Sequence, residues 1–249
     1  MTVSIAPVNI DYYLSTTANG DVATKRDLTA YYVSGSTPDG VWLGGGLRSL
    51  GITPESHVTT RDARALFEDG VNPLTGEQLG RHVAAKVANP NGKTPAGAKA
   101  KATRNRVGGF DLTFSVPKSV SALWALGDPH TQGMVYAAHL QAMKDTIGWI
   151  ETNVLNTRSG HGGVAREDVT GVIASGYDHW ESRNGDPQLH THLVISNKVQ
   201  RVSDGKWSTI DSNTLHKNVV TISETYNSLL FSELSRTLGT QVEARFDGA

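Results

Sequence analysis

The stretch that decides the reading runs Tyr177-Asp178-His179-Trp180-Glu181-Ser182-Arg183-Asn184-Gly185-Asp186-Pro187-Gln188-Leu189-His190-Thr191-His192. In a strand, His190 and His192 project from the same face, about 6.5–7 Å apart along the chain. Two imidazoles at that spacing can converge on one cation. Asn184-Gly185 reads as a two-residue hairpin turn, and that turn places His179 directly opposite His190 on the same face. Pro187 perturbs the ladder near the turn. Three neutral imidazoles from two adjacent strands leave coordination positions open, which is the design of a catalytic rather than a structural metal site. The competing reading makes His190 and His192 ordinary surface residues of a strand. There is no His-Glu-x-x-His, so the zinc-protease helix is absent. The remaining histidines, His57, His82, His130, His139, His161 and His216, lack this geometry and read as surface or packing residues.

Outward from the hairpin, Gly109 to Val116 alternates. Phe110, Leu112, Phe114 and Val116 point one way, and Asp111, Thr113 and Ser115 the other, which predicts a strand with a buried face. If its polar face lines the cleft of the histidines, Asp111 can orient a ligand imidazole or take a proton from a nucleophile. Taken alone, Asp111 is an exposed strand carboxylate. Pro117-Lys118-Ser119 opens a helix. Gln132 to Leu155 is expected to be a long helix, with Val135, Ala138, Ala142, Ile150 and Val154 on one stripe. Strands are expected at 2–9, 169–177 and 189–199, and a second hairpin at Asp204-Gly205. Helices are expected at 27–32, 60–69 and 223–238, the last ended by Gly239, and a final strand at 240–246. Residues 33–46 read as loop, with the Gly44-Gly45-Gly46 run.

The 249 residues are 38% hydrophobic and 19% charged, an ordinary folded composition rather than a disordered one. Lys and Arg total 23 against 24 Asp and Glu, so a uniformly basic nucleic-acid binder is excluded but a local basic groove is not. Such a segment exists: residues 81–107 carry Arg81, Lys86, Lys93, Lys99, Lys101, Arg104 and Arg106 and no acidic residue. It reads as a solvated loop, as an electrostatic track for a phosphate backbone, or as both. There is no cysteine, so thiolate ligands, thiol nucleophiles and disulfides are impossible. Any metal must be held by His, Asp or Glu. No apolar run approaches the roughly 18–20 residues of a membrane span, and the N-terminus lacks a signal peptide. A cytoplasmic location is expected.

Four of the seven tyrosines form the pairs Tyr12-Tyr13 and Tyr31-Tyr32. Aromatic pairs usually pack. A phenol becomes a nucleophile when a base takes its proton or a cation stabilises its charge, because its pKa is otherwise near 10.

Together, these stretches resemble the N-terminal relaxase domain of MobF-type conjugative relaxases, within the His-hydrophobe-His superfamily of endonucleases. The resemblance rests on the tyrosine pairs, Gly109-Phe110-Asp111-Leu112-Thr113-Phe114-Ser115-Val116-Pro117-Lys118-Ser119-Val120-Ser121, the distal His179, and Asp186-Pro187-Gln188-Leu189-His190-Thr191-His192. It implies an α+β fold, a central antiparallel sheet flanked by helices (ferredoxin- or palm-like), with residues 1–249 as a single relaxase domain. It implies site- and strand-specific nicking of the plasmid origin of transfer through a 5′-phosphotyrosine. Tyr12 takes the first nucleophile position and Tyr31 the second, with Tyr13 and Tyr32 as alternatives. Asp111 takes the acidic position, and His179, His190 and His192 take the metal positions for one divalent ion, Mg²⁺, Mn²⁺ or Zn²⁺.

The all-nitrogen donor set favours Zn²⁺ or Mn²⁺ over Mg²⁺. Arg183 and Lys118 are candidate phosphate contacts, and Lys99, Lys101, Arg104 and Arg106 are candidate DNA-binding residues. The implied partners are single-stranded or hairpin origin DNA, an accessory DNA-binding protein and a coupling protein.

Three departures stand out. The gap between the tyrosine pairs is longer than in the family, and Thr191 fills the centre of the His pair. The chain also ends before the segment that closes over DNA and before any helicase, which implies weaker DNA binding or faster release. A metal-dependent hydrolase of a small substrate and a non-catalytic origin-binding module remain as alternatives.

Overall fold

A computed structural model of the chain describes residues 2–8, 10, 40–80, 107–182 and 184–241. In chain order the strands are β1 (Val3–Pro7), β2 (Val41–Leu43), β3 (Gly109–Ser115), β4 (Thr157–Ser159), β5 (Ala165–Glu167), β6 (Ala174–Glu181), β7 (Pro187–Ser196), β8 (Lys198–Gln200) and β9 (Trp207–Thr209). The helices are α1 (Thr60–Arg64, widening into a π-turn over Ala65–Asp69), α2 (Lys118–Leu126), α3 (Pro129–Asn153), α4 (Ser212–Lys217) and α5 (Val219–Leu238). Five strands form one sheet in the order β1-β3-β7-β6-β2. Every neighbouring pair in it is antiparallel. Two small hairpins, β4-β5 and β8-β9, stand beside it. This is the expected α+β class.

Alternation along the strands sorts side chains onto two faces. One face carries Phe110, Leu112 and Phe114 of β3 with Leu189, Leu193 and Ile195 of β7, and α3 and α5 cover it. The stripe on α3 is Val135, Ala138, His139, Ala142, Met143, Thr146, Ile147 and Ile150, at the spacing of one helical face. Asp128 caps this helix, its carboxylate accepting from the Thr131 N–H at 2.7 Å, with Pro129 in the first turn. Gly239 closes α5 in the left-handed conformation, φ 65°. The other face carries Trp42, Tyr177 and Val194 and is covered by Leu47, Leu50, Ile52, Leu66 and Phe67.

Several expected boundaries move. The strand expected at 169–177 is β6, Ala174–Glu181. Gly171, at φ 137°, keeps the chain out of the sheet until the backbone has passed the glycine run. The loop expected at 33–46 contains β2, and Gly45–Leu50 is a 3₁₀ turn. Its glycines serve a close crossing: a Cβ on Gly46 would lie 2.6 Å from the Gly171 carbonyl oxygen. Glu151 clamps the crossing, accepting from the N–H groups of Gly45 (2.7 Å) and Val172 (2.8 Å). The strand expected at 189–199 is two, broken at Asn197, whose N–H donates to Gly108 C=O. The helix expected at 27–32 lies outside the described residues. Most of the strand expected at 240–246 does too, and Thr240 and Gln241 are in no strand.

Candidate metal centre

The hairpin β6-β7 pairs His179 with His190, Asp178 with Thr191 and Tyr177 with His192. That is the register expected from a two-residue turn, but the turn itself is longer. Ser182 N–H donates to Asp186 C=O, Gly185 N–H donates to Ser182 C=O, and Gly185 takes φ 78°. This adds a residue to the loop, and the pair Glu181–Pro187 is accordingly out of step. A bulge between that pair and His179–His190 restores the phase. Pro187 has no N–H for the ladder, so the irregularity sits where the ladder is cheapest to break.

The two displacements cancel, and all three imidazoles reach one face. Their ring centroids stand 4.9–5.2 Å apart. The potential ligand nitrogens lie within 4.8 Å of one another. The rings are buried, at 4% exposure for His179, 6% for His190 and 9% for His192.

The tautomers follow from the acceptors beside the rings. His190 Nδ1 lies 2.7 Å from the Gln188 carbonyl oxygen, so Nδ1 carries the proton and donates it. His192 Nδ1 donates to Asp111 Oδ2 at 2.9 Å. In both rings, Nε2 is therefore the nitrogen offered to a cation. Thr113 Oγ1 donates to the same Asp111 oxygen at 3.1 Å. Asp111 is itself 4% exposed. A carboxylate-to-imidazole bond of this kind fixes the ring and raises its basicity as a ligand. The donor set thus fits one borderline divalent ion.

Of the residues singled out in the sequence, the structure brings His179, His190, His192 and Asp111 together. Lys118 Nζ, exposed at the start of α2, donates to the Pro187 carbonyl at 2.9 Å. Tyr12, Tyr13, Tyr31, Tyr32, Arg183, Lys99, Lys101, Arg104 and Arg106 lie outside the described residues, as does His82. The three described tyrosines are poor nucleophiles. Burial pushes the Tyr177 phenol up to about 12, and burial also raises Tyr136, beside Asp178, and Tyr226 far above the ordinary phenol value.

A feature not read from the sequence lies behind the histidines. Thr191 donates to Asp178 Oδ1, and Tyr136 donates to Asp178 Oδ2. His139 Nε2 is 2.8 Å from Thr191 Oγ1, and His139 Nδ1 is 2.7 Å from the Tyr226 hydroxyl. Burial raises the Asp178 carboxyl above its usual range, opposed by the Thr191 and Tyr136 bonds and by His190. The signals were present but individually weak: His139 sits on the apolar stripe of α3, and Thr191 replaces a hydrophobe.

Residues 8–249 match the profile of the TrwC relaxase family. The chain is 31% identical over 229 residues to the multifunctional conjugation protein TraI of Escherichia coli strain K12, covering 90% of this chain and 11% of that protein. It therefore spans about a tenth of that relative's length, 11%. Among solved structures it is similar to the conjugative relaxase TrwC in a copper-bound complex with oriT DNA, at TM-score 0.70 and 27% identity, over 99% of this chain and 74% of that one. It is also similar to TrwC bound to a 27-mer DNA comprising the recognition hairpin and the cleavage site, at TM-score 0.66 and 27% identity, over 99% and 73% of the two chains.

Proposed function

Because the chain belongs to the TrwC relaxase family, we propose that residues 1–249 act as a relaxase domain that nicks origin-of-transfer DNA on one strand and rejoins it. The observation that carries the reading is the buried cluster of His179, His190 and His192, with Asp111 holding the tautomer of His192. Relaxases described as copper-bound and metal-bound in complex with oriT DNA share this fold. When bound, a single divalent cation there supplies Lewis-acid polarisation of a non-bridging phosphate oxygen.

Tyr12 is the proposed first nucleophile, with Tyr31 as the second and Tyr13 and Tyr32 as alternatives. Two observations support this group. Of the other three tyrosines, Tyr177 and Tyr226 are buried and Tyr136 is half-buried, and all three phenols are raised in pKa. Ile10, two residues before Tyr12, packs into the core on the histidine side of the sheet, and two residues of chain reach at most about 7 Å. In the step, the phenol oxygen bonds to phosphorus and the P–O3′ bond breaks. Asp111 is the candidate acceptor for the phenol proton, and the departing 3′ oxygen takes up a proton from solvent water. The products are a 5′-phosphotyrosine and a 3′-OH, so the exchange is reversible.

The DNA partner is proposed to be a hairpin with adjoining single strand. Arg183, Lys118 and the basic residues Lys99, Lys101, Arg104 and Arg106 are proposed to contact phosphates. Such a protein works in the cytoplasm with an accessory DNA-binding protein and a coupling protein. Among the described residues, no helix is long and apolar enough to cross a membrane.

Incubation with the cognate origin oligonucleotide and Mn²⁺ is expected to give a covalent protein–DNA species on a denaturing gel. Tyr12→Phe is expected to lose it while retaining DNA binding. Absence of any adduct with the wild-type chain refutes the reading. A wild-type adduct that persists in Tyr12→Phe moves the attack to another tyrosine.

A further inference from the structure

The residue between His190 and His192 points the other way. Thr191 is 1% exposed and lies on the helix-covered face, where it joins four elements. Its hydroxyl donates to Asp178 on β6 and accepts from His139 on α3, and His139 accepts in turn from Tyr226 on α5. With Asp178 ionised, the proton pattern has one consistent solution. Thr191 has a single proton, given to Asp178, so His139 Nε2 must carry the hydrogen in the next bond. His139 Nδ1 is then bare and takes the Tyr226 proton. The neutral ring this requires agrees with burial, which holds His139 down at about 3. Tyr136 fills the second oxygen of Asp178. His139 and Tyr226 are both 0% exposed and meet edge to face.

This chain of bonds does something that simple packing at position 191 would not. The directions of the His190 and His192 side chains are set by the backbone on either side of Thr191. A hydrophobe there could slide along the apolar face by a fraction of an ångström at little cost. A hydroxyl held between two fixed partners cannot, because each bond weakens steeply off its geometry. Deleting it also strands buried polar groups on both neighbours.

We propose that Thr191 is a positioning residue for the cation site: clamped between Asp178 and His139, it fixes β7 from the helix side so that His190 and His192 aim at one ion. The proposal rests on the reading of His179, His190 and His192 as that site.

The test uses the 249-residue chain, stripped of metal and titrated with Mn²⁺ by calorimetry and with Co²⁺ by its visible absorption bands. Thr191→Val keeps the branched shape and removes the hydroxyl. It is expected to weaken metal binding by roughly 10-fold or more, the scale of losing an outer-shell partner, and to alter the Co²⁺ spectrum. Thr191→Ser restores both towards wild type. Tyr226→Phe, which deletes only the far hydroxyl, gives a smaller loss in the same direction, and it decides the matter if Thr191→Val does not fold. A purely structural role would lower the melting temperature of the metal-free protein and leave the affinity and spectrum of the folded fraction at wild-type values. That result overturns the proposal while the metal site stands. If the wild-type chain binds neither ion, the proposal and the metal-site reading fall together.

Discussion

The two faces of the central sheet treat their polar groups in opposite ways, and strand β7 shows both within three residues. On the helix-covered face, Thr191 enters a bond chain in which every proton has an assigned acceptor, closed over by α3 and α5. On the other face, His190 and His192 each commit Nδ1 to an anchoring acceptor and present Nε2 towards a shared centre with His179. The first face uses hydrogen bonds to remove freedom. The second uses them to aim atoms. A strand alternates its side chains, so one short segment can serve both purposes. The rigidity of the first face is what lets the second hold like groups close together.

The contrast is broken most sharply by exchanging single residues across it. His190→Ala should reduce Mn²⁺ affinity by 100-fold or more while barely moving the melting temperature of the metal-free protein, as read by calorimetry and thermal melts. Leu193→Ala, three residues along on the opposite face and 0% exposed, should do the reverse. It should cost about 2–5 kcal/mol in urea unfolding and leave the metal affinity of the folded chain intact. Equal effects of both substitutions on both readouts would erase the distinction.

Metal itself should stabilise only through the histidine face. At 100 times its dissociation constant, Mn²⁺ should add about 2.7 kcal/mol of stability. EDTA should remove that gain, and His190→Ala should lack it.

The helix face predicts a pH dependence of its own. His139 has its pKa lowered from 6.5 to about 3 by burial, with the charge of His190 as the second cause. Between those values the unfolded chain holds a proton that the folded chain does not. Stability of the metal-free protein should therefore fall as pH drops from about 6.5, by up to about 1.4 kcal/mol per pH unit from this group. His139→Met should flatten the slope in urea melts at pH 7, 6 and 5. The smallest effect expected is that of Thr113→Val. It removes one bond to Asp111 and should cost about 0.5–1.5 kcal/mol, with a modest loss of metal affinity.

Much of this was legible in the chain. The alternation of Gly109–Val116 gave β3 and both its faces, since a buried strand must segregate its side chains. The α3 stripe and the Gly239 stop were equally plain, because helix periodicity and capping are local. The convergence of His179 with His190 was also readable, though through a turn shorter than the real one. The longer loop and the bulge near Pro187 offset each other, and no local rule sets the two together. The start of β6 was misplaced because Gly171 and the Gly44–Gly46 run restrain each other across more than a hundred residues. Nothing near either segment signals the other.

The sequence by itself determined the chemistry available. With no cysteine, only imidazoles and carboxylates could bind a metal, and spacing alone put His190 and His192 on one side of a strand. Tertiary structure alone decided that Asp111, a candidate in the sequence, orients His192, and what braces the pair from behind. Asp111 meets His192 because β3 lies beside β7. His139 reaches Thr191, and Tyr226 reaches His139, because two long helices cross the opposite face. Those contacts depend on strand order and helix packing, and burial turns them from ordinary polar groups into fixed ones.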